Sequence, residues 1–146
     1  MLSPSAYNLI MLLVAAYAFG RGKLDERLVA AICVVGSFAT VAVSSAHYSY
    51  FAGIEGGVFI VDLLALGGFV LVALRSSRFW PLWVAGFQLT SVFSHFLKAF
   101  HWGMIPQVYA AAERFWIYPI FLAIIVGTWR SHQRWRHERN PSATLT

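Results

Sequence analysis

The chain has 146 residues, of which 59% are hydrophobic and only 12% charged, and its mean hydropathy is +0.65. Soluble domains carry roughly a quarter charged residues, so this composition excludes an ordinary soluble fold and points to a membrane protein. The net charge of +5 does not indicate nucleic acid, because the cations lie between and after the apolar segments, where they read as topology signals and contacts to anionic lipid.

The first predicted element starts at Ser3-Pro4-Ser5, a hydroxyl cap with proline at an early helical position. Its apolar part runs from Ala6 to Gly20, slightly short for the ~30 Å hydrocarbon core. Ala16-Tyr17-Ala18 has the small-x-small form of a cleavage site, but no Lys or Arg precedes the apolar run, so the segment is expected to be retained as a span. A charged connection, residues 21–27 (RGKLDER), follows.

The second element spans Leu28 to Phe51. It contains the single cysteine, Cys33, which excludes any intrachain disulfide or CxxC chemistry and is expected to be a small core residue. Ser37, Thr40, Ser44 and His47 recur at i, i+3, i+7 and i+10, one stripe of a helix. The glycine-rich run Gly53 to Gly57 is expected to be a tight turn. The third element is then Val58 to Leu74, with Asp62 inside it and Gly67-Gly68 placed to admit a close helix neighbour.

Residues 75–78 (RSSR) form a short basic loop. The fourth element, Phe79 to Trp102, opens on an aromatic belt of Phe79, Trp80 and Trp83, with Pro81 suited to its first turn. It is apolar enough to cross a bilayer, yet Gln88, Ser91, His95 and Lys98 fall on one stripe. A polar stripe in hydrocarbon is costly unless it faces protein or water, so the other spans are expected to wrap this one. The matching stripe of the second element is a candidate to face it. After a break at Gly103 to Gln107, the fifth element runs from Val108 to Trp129, with Glu113 and Arg114 in its first half and a kink expected at Pro119.

The expected fold is therefore an all-α membrane protein, a bundle of five transmembrane helices. Four spans plus one interfacial helix is the alternative. Residues 1–130 form one domain and residues 131–146 a basic cytoplasmic tail. Nine of the eleven Lys/Arg fall in the two basic connections and the tail, and five spans place all nine on one side. The positive-inside rule makes that side cytoplasmic and the N-terminus external, as in a bacterial inner-membrane protein.

This topology gathers His47, Asp62, Gln88, Ser91, His95, Lys98, His101, Glu113 and Arg114 into one outer-leaflet cluster, with Glu55, Tyr48, Tyr50 and Tyr109 near its rim. The bland reading is helix fastening by interhelical hydrogen bonds, with Lys98, His101, Glu113 and Arg114 snorkelling to the interface. Three sharper readings compete with it. His47 and His95 (or His101) are candidate axial ligands for b-type haem or another tetrapyrrole. Asp62 with His47, His95 or His101 is a candidate metal site, although no two histidines share an i, i+4 spacing. Asp62 and His95 are also candidate proton or ion relay groups, lined by Gln88 and Ser91.

No GxGxxG, P-loop or GxSxG is present, and the balance is against an enzyme. The expected function is that of a small polytopic inner-membrane protein, an accessory or scaffold subunit. Its partners would be the bilayer and either a membrane protein or a second copy, with tetrapyrrole, metal or proton/ion binding at the cluster as the alternative.

Overall fold

The computed structural model describes residues 4–46, 51–100 and 115–139. They form five helices in chain order: α1 (Pro4–Arg21), α2 (Leu24–Ala46), α3 (Phe51–Arg75), α4 (Trp80–Phe100) and α5 (Ile117–Arg139). Among the described residues there is no strand. Two of the helices hold segments long and apolar enough to cross a membrane, Leu24–Ser44 of α2 and Gly56–Arg75 of α3.

The proline signals place two helix starts correctly, since α1 begins at Pro4 and Pro81 lies in the first turn of α4. A first-turn proline forfeits only a donor that has no partner within the helix. Pro119 is the third residue of α5, and the helical conformation at Phe115 is interrupted by a turn at Trp116, three residues before the proline, where the expected kink would fall. Residues 108–114 of that expected element, including Glu113 and Arg114, lie outside the described residues. The basic stretch after Trp129 continues the helix as far as Arg139.

The expected turn at Gly53 to Gly57 is corrected, because these residues belong to the first two turns of α3. Gly57 is there for a different reason. A Cβ at this position would overlap Val43 of α2, so the glycine permits close approach of two helices. Gly68 plays the same part against Ile32, 3.0 Å from where its Cβ would stand, whereas Gly67 faces open space.

Consecutive helices pack on one another, and α5 closes the bundle against both α4 and α1. The core runs through Met11, Val14, Ala15 and Ala18 of α1, Val29, Ala30 and Cys33 of α2, and Phe69 and Val72 of α3. Val84 and Ala85 of α4 and Ile120, Phe121 and Ile124 of α5 complete it. Tyr7 ties α1 to both neighbours, with its ring 5.9 Å from that of Phe121 and its hydroxyl 2.9 Å from Ser37 Oγ. Larger apolar residues point outward: Val35, Leu64, Leu74 and Phe79 are all exposed. Of the aromatic belt, Phe79 and Trp83 are exposed, while Trp80 turns inward and lies flat on Gly127 of α5.

Candidate functional site

The polar stripe of α4 faces protein, and its focus is a single carboxylate. Asp62 sits near the middle of α3, opposite Gln88, Ser91 and His95. Gln88 Nε2 donates to Asp62 Oδ1 at 3.2 Å and reaches its backbone carbonyl at 3.4 Å. Ser91 Oγ donates to Oδ2 at 3.4 Å, and His95 Nε2 lies 3.1 Å from the same oxygen. One turn before Asp62, Phe59 presents its ring to the His95 imidazole, with centroids 6.0 Å apart. The i, i+3, i+7 spacing on α4 makes this convergence possible, because it stacks three side chains along one face of the helix.

The electrostatics are those of a carboxylate wrapped by donors. Gln88 and Ser91 are buried, the His95 side chain is 9% exposed, and Asp62 keeps 22%. An ionised Asp62 accepts from all three, so the proton between it and the imidazole sits on Nε2. The imidazole is the one group in this set that can bring a compensating positive charge, and it does so only when protonated.

Of the other expected site residues, Lys98 lies on α4 with its side chain outside the description. His47, His101, Glu113 and Arg114 lie outside the described residues, as do Tyr48, Tyr50 and Tyr109, and so does the side chain of Glu55. The stripe of α2 is used differently from that of α4. Ser37 bonds Tyr7 of α1, and Thr40 and Ser44 donate to the Gly36 and Thr40 carbonyls of their own helix at 2.9 and 2.8 Å. Such back-bonding satisfies a hydroxyl without a neighbour. No group of three or more metal-ligating side chains is assembled among the described residues. His95 turns Nε2 toward Asp62, so an iron at that nitrogen would have to displace the carboxylate.

A second polar assembly escaped sequence reasoning. The connections at 21–27 and 75–78 interlock at one end of the bundle. Arg78 Nη1 meets Glu26 Oε1 at 2.5 Å, and the Glu26 side chain is fully buried. Glu26 Oε2 also accepts the backbone N–H of Lys23 at 2.8 Å. Ser76 Oγ donates to Asp25 Oδ2 at 2.6 Å and accepts the Arg78 N–H at 3.2 Å. Arg21 Nη1 donates to His132 Nε2 of α5 at 3.2 Å, bringing the third basic segment to the same end. The sequence signal was there. Glu26 stands three residues after Lys23, the residue before α2, which is the spacing of a side chain reaching back to cap its own helix. With Lys in place of Ser or Thr at the cap, only half of the motif is written in the sequence.

No protein-family model, no curated protein and no solved structure matches the chain.

Proposed function

We propose that the chain is an integral multi-span membrane protein without catalytic activity, an accessory or scaffold subunit that presents its helical perimeter to a membrane partner or a second copy. The observation that supports this is the sorting of its surface. Only 17% and 11% of the apolar windows in α2 and α3 are buried within the bundle. Phe79, Leu74 and Leu64 are 82%, 78% and 72% exposed, while Glu26, Gln88, Ser91 and Thr128 are buried. A water-soluble helical domain sorts the other way. In this reading all five helices span. The shortest, with 18 residues, reaches ~27 Å, close to the thickness of the hydrocarbon core. The basic connections lie on the cytoplasmic face and the N-terminus outside, in a bacterial inner membrane.

The experiment is alkaline-carbonate extraction of native membranes, followed by in-cell cross-linking and sizing in mild detergent. Retention in the pellet, with a discrete cross-linked complex or oligomer, is the expected result. Extraction into the supernatant would overturn the membrane reading. A monomer that cross-links to nothing would overturn the scaffold role.

A second reading is favoured by one observation, the 3.1 Å approach of His95 to Asp62 in a mostly apolar setting. It assigns proton or ion binding to the pair. Infrared difference spectra across pH test it. A protonated-carboxyl band that vanishes in Asp62→Asn and moves in His95→Gln is expected, and its absence at every pH would remove this reading.

A further inference from the structure

At the end where the basic segments meet, a cleft of about 280 Å³ opens between the α1–α2 connection and the last turns of α5. Arg21, Lys23, Arg27, Ser131, His132 and Trp135 line it. We infer that this cleft is a binding site for a phosphate group, supplied by the headgroup of an anionic phospholipid.

Charge segregation carries the argument first. Both acids of the α1–α2 connection are engaged on the α3–α4 side, Glu26 by Arg78 and the Lys23 N–H, Asp25 by Ser76. The three cations of the same connection are left exposed on the α5 side. A tight turn holds them together. A Cβ at Gly22 would overlap the Ala18 carbonyl and Glu26 Cβ, so only glycine lets α1 pass into α2 this closely. Three fixed positive charges around one concavity form an anion site, and two of them are arginines, whose forked donors suit phosphate oxygens.

The second observation is independent. Ser131 lines the cleft, is 2% exposed, and its hydroxyl has no hydrogen-bond partner. A buried hydroxyl without a partner is costly, and a phosphate oxygen that displaced the side chains covering it at the cleft wall would satisfy it. His132 accepts from Arg21, which leaves its other ring nitrogen carrying a proton to donate. The Trp135 ring lies beside His132, tilted to it with centroids 6.1 Å apart, and supplies the amphipathic wall found at headgroup depth. The site itself stands on these contacts, and only the lipid as source rests on the membrane reading above.

The test is native mass spectrometry of the full chain in detergent, titrated separately with phosphatidylglycerol, phosphatidylcholine and inorganic phosphate. Preferential retention of phosphatidylglycerol is expected. The double variant Arg21→Gln with Arg27→Gln should lose about 25-fold in that retention, roughly fivefold for each cation near an anionic headgroup. Ser131→Ala should weaken it severalfold with no change in charge. Arg134→Gln, an exposed cation of α5 outside the cleft, should leave it unaltered. Equal loss in Arg134→Gln and the cleft variants would reduce the effect to general surface charge and overturn the site. No preference over phosphatidylcholine, together with no binding of inorganic phosphate, would overturn it too. Binding of inorganic phosphate alone, with the same response to the variants, would keep the site and overturn the lipid source. Failure of the membrane reading shows separately, as carbonate extraction.

Discussion

Glu26 and Asp62 are both carboxylates clasped between helices, and the bundle treats them differently. Glu26, fully buried, has a permanent guanidinium at 2.5 Å and a backbone donor at 2.8 Å. Asp62 keeps some exposure and is held by two neutral donors and an imidazole at 3.1–3.4 Å. The first charge is compensated by a group that never deprotonates, so it acts as a fixed latch between the α1–α2 and α3–α4 connections. The second is compensated by a group whose charge changes with its surroundings, so its fastening strength is conditional. Burial alone does not say which carboxylate is structural; the chemistry of the partner does.

The largest expected effect breaks the latch. Arg78→Met leaves Glu26 buried without its cation and should cost about 3–5 kcal/mol in reversible unfolding from mixed detergent, while adding Glu26→Gln should recover much of that loss. If Arg78→Met were neutral, the contrast between the two carboxylates would collapse. Next comes the contact that sets the spacing of α2 and α3, on which the position of Asp62 depends. Gly57→Val should cost about 1–3 kcal/mol by the same assay, and Val43→Ala in the same chain should relieve it. Removing the accessory bond of the latch is milder. Ser76→Ala should cost about 1–2 kcal/mol, because the lost hydrogen bond ends on a charged acceptor. Smallest is the conditional fastening: Ser91→Ala or Gln88→Leu should each cost only about 0.6 kcal/mol, the average for interhelical hydrogen bonds in a bilayer. A loss near that of Arg78→Met would make Asp62 as firmly structural as Glu26.

What was legible in the sequence follows the range of each signal. The stripe on α4 and the acid on α3 are periodic, local features, and the structure brings Gln88, Ser91 and His95 onto Asp62 as a polar stripe in an apolar helix requires. The start at Pro81 and the buried Cys33 were legible for the same reason. Gly53 to Gly57 misled because glycine serves both turns and helix contacts, and only Val43, fourteen residues away from Gly57, decides between them. The Glu26 latch was hidden because its partner lies 52 residues downstream in a segment whose cations already had a sufficient explanation.

The bundle is closed by its first and last helices. Arg21 and His132 touch across 111 residues, and Met11, Val14, Ala15 and Ala18 of α1 belong to a core that Ile120, Phe121 and Ile124 of α5 complete. At ~5–20 residues per second of synthesis, roughly 6–22 s separate the appearance of these two partners. During that interval the α1 side of the core lacks its α5 partner, which is the seam where the nascent chain is open to mispairing.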